Sequence, residues 1–299
     1  MDLKISKDIY PFAGKFLELN GFKLHYLDEG EGEPVVMLHG NPSWSIYYRN
    51  MVNGLKDNYR CIVPDHIGCG LSDKPDESEY NYVLSQRVED LESLLNHLKI
   101  DKNITLIVHD WGGMIGMSYA TLHPEAIKRI VILNTGAFHQ PRKNELPFSL
   151  WLSRDTQIGA LMILGFNAFS RGAANLCCTR KKMSKELRDA YCAPYNSWKN
   201  RIATLRFVQD IPLKKGEPSY DFITEVQNKL TLFRNTPVLI CWGEKDFVFN
   251  NYFLEEWQKY LPNAVVHRFP DCGHYVLEDA SDEIIKLVDE FLNAHPLKI

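Results

Sequence analysis

No apolar run in this sequence approaches the ~20 residues that a membrane-spanning helix requires, so no span is expected. The opening stretch MDLKISKDIYPFAGKF lacks the apolar centre of a secretory signal, and none is expected there. Charge of neither sign dominates: 34 Lys and Arg stand against 38 Asp and Glu, scattered along the chain. There is no basic stripe to track a phosphate backbone, hence no electrostatic case for a nucleic-acid partner. Internal repeats and low-complexity segments are missing too. Seven cysteines (61, 69, 177, 178, 192, 241, 272) show no metal-ligand spacing, and nothing in the pattern calls for a metal or a cofactor. Without a signal they are expected as reduced thiols in a cytoplasmic protein. The adjacent Cys177 and Cys178 are the one pair with a conceivable redox role; buried filler is the better reading.

What is present is an ordinary globular composition. The 299 residues are 45% apolar, enough for a sizeable core in one large α/β domain or two smaller ones. KFLEL and FKLHYLDEG flank Asn20-Gly21, a strong hairpin signal. PVVMLHG and RCIVPD read as strands buried on both faces, and ITLIVHD, IKRIVILNTG and TPVLICWGEKD also read as strands. Between them, residues 82–98 place Leu84, Val88, Leu91, Leu95 and Leu98 on one helical face, and GGMIGMSYATLHP reads as a helix stopped by Pro124. The β-α-β alternation implies a mostly parallel sheet with right-handed crossovers. From 140 to 213 the alternation breaks into helix-like, aromatic-rich sequence. The expected organisation is a main α/β domain, 1–139 and 214–299, carrying an inserted helical cap, 140–213.

Three titratable residues fall where strands should end: Asp110, Asp246 and His274. Open parallel sheets gather their sites at carboxyl ends of strands, so these three can converge. Each alone has a plainer reading, since an Asp after a strand is most often a helix N-cap and a loop His is most often solvated. Together they follow the order nucleophile, acid, base. Asp110 sits in VHDWGG, a small-residue strand-to-helix turn of the kind that usually presents Ser. A carboxylate attacking saturated carbon makes an ester to the enzyme, which suits displacement or ring opening better than amide hydrolysis. The departing anion then needs donors. Asn41 of HGNPSW and the indole of Trp111 are two neutral ones.

At these residues the chain resembles the haloalkane dehalogenases of the α/β-hydrolase superfamily. HGNPSWS, DHIGCGLSDKP, VHDWGG, WGEKDFVF and GHYVLEDA carry the resemblance from Val35 to Ala280. It implies an eight-stranded sheet, Asp110 as nucleophile, His274 as base, and Asn41 with Trp111 as the leaving-group clamp. One subgroup places its acid after the strand before the cap; here that strand offers Asn134 instead, so the acid falls to Asp246, the third-subgroup pattern. LGFNAFSRGAA, APYNSWKNRIATLRFVQDIPL and RFPDCGHYVLEDA also resemble the β-lactone decarboxylases of bacterial olefin biosynthesis. That resemblance implies conversion of a cis-3,4-dialkyl β-lactone into a cis-alkene and carbon dioxide. It leaves open whether Asp110 attacks the ring carbon or the carbonyl.

The apolar cap agrees with a hydrophobic small-molecule substrate. Arg154, Arg171, Arg201 and Arg206 are candidates to hold a nascent carboxylate, although surface or ion-paired roles fit cap arginines better. A haloalkane dehalogenase is the alternative. An epoxide hydrolase, with Tyr191 and Tyr195 polarising the oxygen, and a receptor built on a hydrolase scaffold stand behind it. Assembly with other enzymes of an olefin pathway is the further partner expectation.

Overall fold

The computed structural model describes residues 5–141 and 146–297. Residues 1–4 of the stretch read for a signal, 142–145 of the expected cap and 298–299 lie outside the described residues.

The chain opens with β1 (Lys15–Leu19), β2 (Phe22–Glu29), β3 (Pro34–Leu38), α1 (Arg49–Leu55), β4 (Arg60–Pro64) and α2 (Leu84–His97). Then come β5 (Ile104–Asp110), α3 (Trp111–Leu122) and β6 (Ile127–Thr135). Next are the helices α4 (Phe148–Asp155), α5 (Gln157–Phe166), α6 (Ala168–Leu176), α7 (Lys185–Cys192), α8 (Ile202–Gln209) and α9 (Tyr220–Lys229). The chain closes with β7 (Val238–Gly243), α10 (Asn251–Tyr260), β8 (Val265–Phe269), α11 (Val276–Asp279) and α12 (Ser281–Ala294).

All eight strands join one sheet in the order β1-β2-β4-β3-β5-β6-β7-β8. β2 pairs antiparallel with β1 and β4, and every later pairing is parallel. The β1–β2 turn uses Asn20 at φ 51° and Gly21 at φ 86°, the left-handed pair a two-residue hairpin turn needs. The central strands are apolar without alternation because both faces are covered. Val36 and Leu38 enter one core with Leu106 and Ile115, whereas Val35 and Met37 enter the other with Ile107 and Trp44.

The consequence for function is positional. β3, β5, β6, β7 and β8 lie side by side, so the residues after their carboxyl ends form one row. Asn41, Asp110, Asn134, Asp246 and His274 all belong to that row. Helices α4 to α8 fall between β6 and β7, in the stretch read as helical. Three elements were not read from the sequence, among them the short helix α11 after the His274 loop. α1 is a short helix after the HGNP loop, and α9 packs against α3.

Candidate active site

Asp110 ends β5 at φ 51°, ψ −128°, and α3 begins at the next residue. A non-glycine residue at positive φ is held only when its surroundings over-determine it, and such residues cluster at active sites. The surroundings here are tight. A β-carbon at Gly112 would overlap the Leu38 carbonyl, and one at Gly40 would overlap the Asp110 carboxylate. That close approach is why HGNP and HDWGG need their glycines. The Thr135 hydroxyl donates to the Asp110 carbonyl from the neighbouring strand and ties the turn down.

The two carboxylate oxygens of Asp110 have different partners. Oδ1 accepts the Asn41 backbone N–H at 2.7 Å, and the Trp111 backbone N–H also donates to this carboxylate. Oδ2 stands 3.7 Å from His274 Nε2. On its other side, His274 Nδ1 donates to Asp246 Oδ2 at 2.8 Å. A carboxylate only accepts, so this bond fixes the tautomer and leaves Nε2 facing Asp110. Asp246 is fully engaged: Oδ1 accepts the Val248 and Phe249 N–H groups at 2.7 and 3.1 Å, and Oδ2 also accepts Asn134 Nδ2 at 3.1 Å. The three residues read at distant strand ends therefore converge into one chain of contacts.

Electrostatics follow from burial. Burial pushes the Asp110 carboxyl above its usual range, against the pull of His274 and the two backbone amides. Burial alone would lower His274, but Asp246 and then Asp110 outweigh it and raise the imidazole pKa. The upward shift on His274 makes an imidazolium easier to hold at this position, in a low-dielectric setting where charge interactions are strong.

Asp110, His274, Asn41 and Trp111 line a cavity of about 350 Å³; Asp246 stands behind His274, away from it. The other walls are mostly apolar, with Met114, Phe138, Leu150, Ile163, Val208 and Phe249 among them. Leu150, Ile163 and Val208 come from α4, α5 and α8, so the helical stretch supplies much of the wall. The Asn41 side-chain amide is already partly used, because Nδ2 donates to the Thr204 carbonyl of α8 at 3.1 Å. The second amide hydrogen remains.

Other candidates lie elsewhere. The Tyr191 hydroxyl donates to Glu278 at 2.5 Å and that of Tyr195 to the Ser43 carbonyl at 3.2 Å, and neither residue lines the cavity. The Tyr191 hydroxyl points at α11 and that of Tyr195 at the loop after β3, which removes the basis for the epoxide reading. None of the four arginines lines the cavity either. Arg154 pairs with Asp155 and Glu217, Arg206 pairs with Glu77, and Arg201 donates to backbone carbonyls. Arg171 is exposed. Cys177 and Cys178 are buried free thiols, Cys177 in the cavity wall. Among the described residues no cluster of His, Cys, Asp or Glu is arranged to hold a metal ion.

Sequence reasoning missed two supporting residues. Asn134, noted only as not being an acid, orients Asp246 and also exchanges hydrogen bonds with Gly243, so it locks β6 to the end of β7. His109, the residue before Asp110, donates through Nε2 to the His274 carbonyl, 2.8 Å away. Burial first, then His274, pushes its pKa far down, so it is neutral and donates there. Its adjacency to Asp110 was the only available signal.

A model described as the alpha/beta hydrolase fold matches residues 33–281. The chain belongs to the alpha/beta hydrolase fold family. This α/β-hydrolase is 59% identical over 284 residues to a cis-3-alkyl-4-alkyloxetan-2-one decarboxylase of Shewanella oneidensis, covering 95% of this chain and 89% of that protein. It is 47% identical over 296 residues to a decarboxylase of the same name from Xanthomonas campestris, covering 96% and 98%. Among solved structures it is similar to a haloalkane dehalogenase of Agrobacterium tumefaciens, with a TM-score of 0.84, 23% identity and coverage of 95% and 97%. At that identity the likeness shows the fold of this α/β-hydrolase and nothing finer.

Proposed function

We propose that this α/β-hydrolase is a cis-3-alkyl-4-alkyloxetan-2-one decarboxylase: it converts a cis-3,4-dialkyl β-lactone into a cis-alkene and carbon dioxide. The observation that carries the reading is the 59% identity to a protein of that name over 95% of the chain. That span takes in α4 to α8, which supply much of the cavity wall. We read these helices as the substrate cap and the sheet as the domain that carries the chemistry.

Asp110 Oδ2 is the nucleophile in this reading, because Oδ1 is held by the Asn41 backbone amide while Oδ2 faces His274 at the cavity. The geometry allows a balanced two-step course. Oδ2 attacks ring carbon C4 from behind the C4–O bond, forming an alkyl ester to Asp110 and freeing the lactone carboxylate. The C3–carboxylate bond then breaks, its electrons form the C3=C4 double bond, and the Asp110 carboxylate departs with both original oxygens. Back-side attack leaves the new C4–O bond antiperiplanar to the C3–carboxylate bond without rotation. Inversion followed by anti elimination keeps the two alkyl groups on one side, as a cis-alkene requires. No water enters.

The remaining residues have defined work. Asn41 and the Trp111 indole donate to the freed carboxylate. His274, whose protonated form Asp246 and Asp110 favour, stabilises Asp110 as it leaves. The apolar wall takes the alkyl chains. The seven free thiols fit a cytoplasmic location. An insoluble lactone must come from an enzyme that closes a β-hydroxy acid, which favours assembly with that enzyme.

The test is to give purified protein a cis-dialkyl β-lactone and, separately, 1-bromo- and 1-iodoalkanes, measuring alkene and halide. Alkene from the lactone is expected. The second reading, a haloalkane dehalogenase, draws on the same Asp110, Asn41 and Trp111 cluster; halide release at ordinary turnover with no alkene would establish it instead.

A further inference from the structure

Eight of the thirteen large apolar side chains exposed among the described residues lie between Phe148 and Trp198. Four of the eight lie on α5. Ile158, Leu161, Met162, Gly165 and Phe166 recur at helical spacing and face outward, while Gly159 and Ile163 face the cavity. The helix, QIGALMILGF, contains no charged residue. A helix apolar all round is ordinarily covered on every side, yet Ile158 and Phe166 are each 66% exposed. α4 extends the face with Phe148 and Trp151, whose rings are 5.6 Å apart. Trp198 closes its far end, within van der Waals reach of a β-carbon placed at Gly165.

Two further observations say what covers this face. Met162, Leu176 and Phe247 are exposed and also line the cavity, so the apolar surface continues into the cavity mouth. Second, residues 148–209 contain ten Lys and Arg against three Asp and Glu, in a chain whose whole is 34 against 38. The excess reaches the apolar face. Arg201 donates to the Leu164 and Gly165 carbonyls at the end of α5, with the Arg171 charge beside it. Among the described residues neither has a carboxylate within ion-pair distance.

We propose that the α4–α5 face docks on a lipid bilayer bearing anionic headgroups, with the cavity mouth turned toward the membrane. Apolar side chains flanked by tryptophans and basic residues match an interfacial surface better than a protein interface core, from which charge is depleted. The proposal draws on the reading of a dialkyl substrate, which a membrane would deliver and whose alkene it would accept.

Flotation with vesicles of phosphatidylcholine alone, and of phosphatidylcholine with phosphatidylglycerol, tests it. The full chain is expected to float with the anionic vesicles, less at high salt. The variant I158N/L161Q/F166N should lose at least about tenfold in binding. Arg171→Glu should lose about threefold. None of these residues lines the cavity, so conversion of a short-chain lactone dissolved in buffer should be unchanged, which also reports folding. If the triple variant fails to fold, Phe166→Asn alone serves, with an effect of about threefold or more. Wild-type protein left in solution by both vesicles would overturn the proposal, as would variants that bind like wild type. Concentration-dependent dimers abolished by the triple variant, with no vesicle binding, would assign the face to a second copy and overturn it too. Vesicle binding without lactone conversion would instead count against the decarboxylase reading alone.

Discussion

The molecule holds two buried Asp–His pairs of the same geometry. His274 Nδ1 lies 2.8 Å from Asp246 Oδ2, and His25 Nδ1 lies 2.8 Å from Asp65 Oδ2. Both pairs are almost wholly removed from solvent. They differ in what stands beyond the histidine. His274 Nε2 faces Asp110 and a cavity, whereas His25 Nε2 is buried against Gly14 without a partner among the described residues. They differ again in what the carboxylate holds. Asp65 accepts the backbone N–H groups of Ser45 and Leu71, so it pins the loops after β3 and β4. A buried dyad is therefore no evidence of a site by itself. A third reacting group and room for substrate distinguish the working pair from the structural one.

The comparison can be broken most sharply at Asp110. Asp110→Ala should lower lactone turnover by at least about 10⁴-fold, because no other group supplies the nucleophile. The same change should leave thermal stability equal or higher, since it removes a buried carboxylate whose pKa burial has raised. Alkene yield and a melting curve on one preparation check both halves.

Next come the matched changes Asp246→Asn and Asp65→Asn. The first should cost about 10³–10⁴-fold in turnover through loss of the carboxylate that stabilises the His274 imidazolium. The second should cost about 3–5 kcal/mol of stability by leaving buried partners unpaired. Turnover per folded molecule should stay within about threefold for Asp65→Asn. Equal loss of activity from both would erase the distinction.

Acid titration sharpens the structural side. Burial pushes Asp65 up, but His25, His39 and the Leu71 N–H outweigh it and hold the carboxyl at about 2. A depressed pKa contributes stability that is present above the unfolded value near ~4 and is lost as pH falls through about 2. Denaturant unfolding of wild type should therefore lose about 2–3 kcal/mol across that window through Asp65, and Asp65→Asn should lack this loss. The smallest effect belongs to Asn134→Ala. It removes one hydrogen bond to Asp246 and should reduce turnover by about tenfold, readable as kcat with KM unchanged.

Much of this was legible before any coordinates. The buried strands announced themselves as unbroken apolar runs, and the topology of a parallel sheet then gathered Asp110, Asp246 and His274. The glycines of HDWGG were readable because only close backbone approach needs them together. Other roles depend on neighbours that sequence spacing does not reveal. Asn134 matters through the adjacency of β6 and β7, and the Asn41 amide is engaged by Thr204 from 163 residues away. Tyr191 and Tyr195 were candidates because they lie in the helical stretch; which face of a short helix meets the cavity is set by tertiary packing. The same limit hid the outward apolar face of α5, whose residues read as cap packing or as lining for a hydrophobic substrate.

The most direct test of the account is the mass of the His274→Ala variant quenched during turnover of a cis-dialkyl β-lactone. Loss of the imidazolium should slow departure of Asp110 and let the ester accumulate. The peptide bearing Asp110 should gain the mass of one whole lactone, because ring opening expels nothing. An unmodified Asp110 peptide while alkene still forms, or an adduct on another residue, would contradict it.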